Sequence, residues 1–86
     1  MKFSDTHVNR EKRYSLGVEV ESGRFYLSIP VSNRMVDYEE YYEVSKAMHD
    51  GYPGNEEQVS EFADQCRLKQ WDHLLFFKPG SDRGVA

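Results

Sequence analysis

The chain has 86 residues and a net charge of −4, which corresponds to one small domain. Aromatic residues form 14% of the sequence and compensate for a hydrophobic content of only 38%, because each buried ring removes about 150–250 Å² from water. No apolar run approaches the roughly 18 residues that a bilayer span requires, and one cysteine cannot form an internal disulfide. We therefore expect one globular domain in a reducing cytoplasm, with no signal peptide and no membrane contact.

Residues 1–12 are polar and show no hydrophobic period, which predicts a flexible N-terminus. A β-hairpin follows, because apolar and polar residues alternate on both sides of Ser22 and Gly23. A two-residue turn at those positions would place all eight apolar side chains on one face of the hairpin. The predicted pairs are Val20 with Phe25, Val18 with Leu27, Leu16 with Ile29, and Tyr14 with Val31.

Residues 38–44 fit two different structures. As a strand, the even-numbered residues would face one side and the odd-numbered residues the other. As a helix, Asp37 would cap the first turn and Glu40 would complete a capping box. Three tyrosines and a valine favour the strand. We therefore predict a third strand here, followed by a short helix that Ser45 caps and that runs through Asp50.

Residues 51–54 contain two glycines and a proline, which break the chain. Asn55 then caps a second helix, whose apolar residues recur at i, i+3, i+4 and i+7 and which ends near Trp71. These apolar residues are Val59, Phe62, Ala63 and Cys66. Residues 74–77 form a last short strand or an apolar strap, and residues 81–86 form a flexible tail.

The order of these elements predicts a single α+β domain over residues 13–80. Its small antiparallel sheet would consist of the N-terminal β-hairpin plus a third strand, packed by one or two C-terminal helices.

The spacing of potentially reactive residues matches no catalytic or metal-binding motif. The histidines His7, His49 and His73 lie far apart in sequence, and none of them forms a zinc motif with Cys66. Cys66 lies on the apolar stripe of the second helix, where a thiol behaves as a small hydrophobic group. We therefore predict no enzymatic activity, no metal and no cofactor.

Negative charge is concentrated in the middle of the chain, since residues 37–64 contain nine acidic residues and one lysine. Such a segment attracts a basic partner and repels nucleic acid and anionic membranes. Tyrosine adds contact area at low entropic cost, and carboxylates complement arginine and lysine on a partner. In the alternative interpretation the tyrosines fill the core and the acids face solvent. The predicted partner-binding residues are Asp37, Glu39, Glu40, Tyr41 and Glu43.

Residues 14–33 read YSLGVEVESGRFYLSIPVSN and residues 36–45 read VDYEEYYEVS. These runs resemble a family of small, uncharacterised bacterial proteins, and the resemblance continues through residues 62–67 to residues 78–80. The family has no assigned activity, so the resemblance implies no catalytic residue.

Small acidic bacterial proteins often act as immunity partners of polymorphic toxins. By this analogy of size and charge, the hypothesis is a non-enzymatic protein-binding domain that neutralises a basic, toxin-like partner. The alternative is a structural or homo-oligomerising domain, for example a homodimer that forms through a strand edge or through residues 74–77.

Overall fold

The computed structural model describes residues 1–80 and 83–86, which fold as an α+β domain with a four-stranded antiparallel sheet. The sheet order is β1-β2-β3-β4, so each strand pairs with its neighbour in sequence. Among the described residues, no helix combines the length and apolar character that crossing a membrane would need. The elements are β1 (Phe3–Asn9), β2 (Tyr14–Glu19), β3 (Phe25–Ser32), β4 (Asp37–Val44), α1 (Lys46–Gly51), α2 (Glu56–Arg67) and a 3₁₀ turn (Asp72–Leu74).

The N-terminal segment, predicted to be flexible, contains β1 and pairs with β2 along its length. It extends the predicted sheet by one strand. This edge strand is polar because most of its side chains face solvent, so it lacks the hydrophobic alternation of a half-buried strand. Backbone pairing orders it instead, and the register shifts at a β-bulge between Asp5 and His7.

The predicted hairpin is present, but its register differs by two residues. Val18 pairs with Phe25 and Leu16 pairs with Leu27, so the connection is longer than a two-residue turn. A shift of two residues keeps each side chain on the predicted face, whereas a shift of one would invert it. Val20 is the exception, because it lies in the connection and is 55% exposed instead of joining the core.

Glu19 explains the longer connection. The residue is 1% exposed, and its carboxylate accepts hydrogen bonds from the backbone N–H groups of Lys2, Glu21 and Ser22, at 2.8, 3.0 and 2.8 Å. The chain bends around this carboxylate before β3 begins. These hydrogen bonds, the Lys2 amide foremost, lower the pKa of Glu19 to about 2.

We expect Glu19→Gln to reduce the dependence of the free energy of unfolding on pH under acidic conditions. The ordinary pKa is 4.5 and the folded value is about 2, so the carboxylate's contribution is complete above the ordinary value. This contribution to stability is lost as the pH falls towards the pKa of Glu19 in the folded protein, which is about 2. Urea unfolding at several pH values in this window measures the slope, and Glu11→Gln at an exposed position is the matched control. A Glu19→Gln slope equal to that of the wild type would contradict this assignment.

The strand predicted for residues 38–44 is confirmed as β4. It pairs with β3 along its whole length, from Asp37 opposite Ser32 to Val44 opposite Phe25. The short helix is confirmed as α1, where the Ser45 hydroxyl accepts a hydrogen bond from the Met48 N–H. The next helix, α2, ends at Arg67, earlier than predicted, and Lys69 just beyond it has a φ of 62°.

The core lies between α2 and one face of the sheet. Val59, Ala63 and Cys66 are buried there, as the apolar stripe predicted. The opposing sheet residues include Leu16, Leu27, Ile29 and Tyr42. Burial raises the pKa of the Cys66 thiol to about 12, which suits its predicted role as a small hydrophobic group.

The C-terminal segment runs along the outer edge of β4. Leu75 bridges Tyr42, and the Phe76 N–H donates to the Tyr41 carbonyl. Of the tail predicted to be flexible, Ser81 and Asp82 lie outside the described residues. Arg83, Gly84 and Val85 are held in place, since Val85 exchanges two backbone hydrogen bonds with Ser32 and the Gly84 N–H donates to the Tyr38 hydroxyl.

Candidate functional site

The face of the sheet opposite α2, which we call the open face, carries the candidate site. One row of paired residues on this face crosses all four strands. The row consists of Asp5, Gly17, Tyr26 and Glu43. Their neighbours along the strands point towards α2, because successive strand residues alternate between faces.

Gly17 allows an aromatic ring to lie across the middle of the open face. A Cβ atom at Gly17 would come within 2.3 Å of the Tyr26 hydroxyl and within 2.3 Å of the Ser4 carbonyl oxygen. The missing side chain lets the Tyr26 ring pass over β2, and its hydroxyl donates to Asp5 at 2.6 Å. The sequence contained a signal for this contact, since Gly17 occupies an outward-facing position within a predicted strand.

Aromatic rings cluster beside Tyr26 on the open face. Phe3 stacks on Tyr41 with ring centroids 3.7 Å apart, and it meets the Tyr26 ring edge-on at 5.3 Å. Phe76 approaches Phe3 at 5.4 Å, and the Arg24 guanidinium lies 4.2 Å from the Phe76 ring centroid. Such contacts contribute about 0.5–1.5 kcal/mol per aromatic pair beyond burial. The packed rings therefore form an apolar surface with polar atoms at its border.

Two of the predicted partner-binding residues are already engaged within the chain. Glu40 faces α2, is 7% exposed and forms an ion pair with Arg83 at 2.8 Å, so it is not a surface carboxylate. This corrects its assignment, because alternation along β4 separates it from its neighbours. Glu43 lies on the open face but pairs with Arg24 at 2.8 Å, which lowers the pKa of Glu43.

The other three predicted residues remain accessible. Asp37 begins β4 and accepts a hydrogen bond from the Ser32 hydroxyl. Glu39 and Tyr41 lie on the open face, and sequence reasoning missed their neighbour Asp5 because it lies in the segment predicted to be flexible. In the part of the chain that the structure describes, neither Asp5 nor Glu39 forms an ion pair.

Two groups on the open face have raised pKa values, mainly through burial and to a smaller extent through neighbouring carboxylates. Partial burial raises the pKa of Glu39, and the Asp5 carboxylate adds to this rise, whereas the Ser28 hydroxyl and Arg13 oppose it. Burial also raises the pKa of Tyr41, with further contributions from Glu39 and Asp5. A cation placed beside Glu39 would offset both the burial of its carboxylate and the repulsion from Asp5.

This arrangement suits recognition of a cationic side chain. Carboxylates next to aromatic faces can bind lysine or arginine through charge and cation–π contact. Within residues 1–80 and 83–86, no group of three or more histidine, cysteine, aspartate or glutamate side chains could hold a metal ion. The chain matches no family model, no curated protein and no solved structure, so these comparisons neither support the resemblance drawn from the sequence nor assign a function.

Proposed function

We propose that this protein is a binding domain that holds a basic segment of a partner protein against its open face. One observation carries the proposal: Asp5 and Glu39 lie next to Tyr26 and Tyr41 of the aromatic cluster and have no ion-pair partner among the described residues. The partner class is a cationic protein, for which a toxin that carries a basic surface is the leading example.

The chemistry of the open face supports this choice. Rigid aromatic side chains such as Phe3 and Tyr41 provide contact area without a large loss of rotamer freedom. The carboxylates add orientation and attract a basic partner from a distance, an effect that falls as ionic strength rises. The buried pair of Glu40 and Arg83 does not contribute, so the acidic middle of the chain acts through Glu39 together with the N-terminal Asp5.

Replacing both open-face carboxylates, as Asp5→Asn with Glu39→Gln, is expected to weaken binding of a basic peptide about tenfold at low salt, or about 1.4 kcal/mol. The probe is a fluorescein-labelled, arginine-rich peptide of about twelve residues, and fluorescence anisotropy measures its affinity. The matched control is Glu57→Gln with Glu61→Gln, which removes the same charge from exposed positions on α2.

The comparison between these two double variants decides the question. Binding specific to the open face predicts that the control changes affinity less than about twofold. Backbone amide shifts should then move mainly in β1, β3 and β4 when the peptide is added. An equal loss of affinity in both variants, or shifts centred on α2, would contradict the proposal, because attraction to net charge alone would explain them.

Homo-oligomerisation is the second candidate, and the position of β1 favours it. This strand ends the sheet order, so its outer edge can accept a strand from a second copy. Residues 74–77 offer less surface for a dimer contact, because Leu74 and Leu75 pack against the core and Phe76 contacts Phe3. Light scattering across a concentration series tests this candidate, and a constant monomer mass would reject it.

A further inference from the structure

Thr6, His49 and Asp50 form a continuous hydrogen-bonded chain beside α1, away from the aromatic cluster of the open face. The His49 Nε2 atom lies 2.7 Å from the Thr6 hydroxyl oxygen, and the His49 Nδ1 atom lies 2.8 Å from an Asp50 carboxylate oxygen. The residues are 43 positions apart across the first contact, so only the fold brings them together.

Local structure positions each member of this chain. The β-bulge between Asp5 and His7 leaves Thr6 outside the regular β1–β2 register, and bulges often redirect side chains next to functional sites. The six-residue helix α1 carries His49 and Asp50 as neighbours. Lys46 binds the second Asp50 oxygen at 2.6 Å, which leaves the first oxygen for His49.

The hydrogen-bond network assigns the proton positions. The pKa of Asp50 is lowered by Lys46 and then by His49, so its carboxylate is an anion that accepts hydrogen bonds. His49 therefore carries its proton on Nδ1 and presents Nε2 as an acceptor to the Thr6 hydroxyl. That hydroxyl also lies 3.0 Å from His7 Nδ1 and 3.2 Å from the Leu16 carbonyl oxygen, and its contact with His49 Nε2, at 2.7 Å, is the shortest of the three. His49 is 9% exposed and held in place, whereas Thr6 is an exposed residue of the edge strand β1.

We propose that Thr6 is the nucleophile, and His49 the general base, of a site that hydrolyses small, activated acyl esters, with Asp50 as a positioning residue. The same relation of hydroxyl, imidazole and carboxylate defines nucleophilic acyl transfer on unrelated folds. A small acyl group suits this site because Thr6 is an exposed residue whose hydroxyl contacts with His49 and Leu16 are partly buried, and the Phe25 ring, 4.6 Å from that of His49, offers an apolar contact.

The reaction balances with water as the second reactant. The Thr6 oxygen forms a bond to the acyl carbon while its proton moves to His49 Nε2, and the ester C–O bond breaks as His49 returns that proton to the leaving alkoxide. Water then attacks the acyl-threonine and gives a proton to His49, which passes it to the Thr6 oxygen. The products are a carboxylic acid and an alcohol.

p-Nitrophenyl acetate is the test substrate, read by nitrophenolate release and by mass spectrometry of the acetylated protein. Thr6 is the only threonine in the chain, so an acetyl group on threonine identifies the site without ambiguity. We expect this adduct in the wild type. We also expect Thr6→Val and His49→Gln to lower the initial rate at least about tenfold, since general base catalysis typically contributes about 10²–10⁴.

Matched variants separate catalysis from a structural role. His73→Gln makes the same substitution at an exposed histidine and should leave the rate unchanged. Thr6→Ser keeps the hydroxyl and should retain the adduct at position 6, even where Thr6→Val fails to fold. Asp50→Asn should lower kcat with KM unchanged, because Asp50 acts through His49.

Two results would overturn the inference. One is acetylation of the folded wild type on lysine or tyrosine only. The other is a wild-type rate in folded Thr6→Val, as circular dichroism would verify, because the three residues would then only fasten α1 to β1. The readout is independent of peptide binding, so failure here leaves the proposed function of the open face standing.

Discussion

Replacing Arg83 with methionine is expected to lower the free energy of unfolding by about 3 kcal/mol, because it leaves a buried carboxylate without its cation. The Arg83 guanidinium donates two hydrogen bonds to Glu40, at 2.8 and 2.9 Å, and two to Asp72, at 2.8 and 3.0 Å. These two carboxylates, Asp72 foremost, raise the pKa of Arg83.

The double variant Arg83→Met with Glu40→Met should recover most of the lost stability. A hydrophobic pair of similar volume often replaces a buried ion pair at little cost, whereas breaking the pair from one side is expensive. Urea unfolding of the two single variants and the double variant gives the coupling energy between the residues. Arg34→Met at an exposed position is the control, and additive losses in the double variant would show that the pair is not coupled.

Gly17→Ala is also expected to have a large effect. It should lower the free energy of unfolding by about 3 kcal/mol, at the upper end of typical overpacking costs. The new methyl group would lie 2.3 Å from the Ser4 carbonyl oxygen, which belongs to the backbone of β1 and cannot rotate away. It would also collide with the Tyr26 ring at the Cζ atom, 2.5 Å away. Both β1 and Tyr26 must therefore move.

Thermal or urea unfolding measures the loss at Gly17, and Gly23→Asn is the matched control. A Cβ atom at Gly23 would meet no heavy atom within 4 Å, and the φ of 74° at this residue is a conformation that asparagine tolerates. Basic-peptide affinity should fall in Gly17→Ala as well, because Tyr26 and Asp5 would separate. A Gly17→Ala protein as stable as the Gly23→Asn control would contradict the packing described for the open face.

Both variants test contacts that join distant parts of the chain. Gly17 controls how closely β1 and the Tyr26 ring approach β2, which sets the shape of the open face. Arg83 connects the C-terminus to Glu40 on β4 and to Asp72 in the 3₁₀ turn. The Gly17 contacts therefore affect both stability and the proposed binding surface, whereas the Arg83 contacts affect stability alone.

Periodicity predicted which side chains of β2, β3 and β4 face the core. Leu16, Leu27 and Ile29 are buried as the alternation indicated, and the two-residue register difference did not change their face. The same alternation already separated Glu40 from Glu39. The partner-binding prediction grouped them as one charged run, which neglected that neighbouring strand residues point in opposite directions.

The sequence by itself determined the α+β class, the hydrophobic faces of the hairpin and of α2, and the acidic character of the middle segment, because these properties depend on neighbours within a few residues. Only the tertiary structure decided that residues 3–9 form a strand, that Glu40 meets Arg83, and that Asp5 joins Glu39 on the open face. An edge strand is held by backbone hydrogen bonds that leave no side-chain pattern. The pairing of a charge depends on which distant residue the fold brings within a few ångströms, and no local pattern encodes that distance.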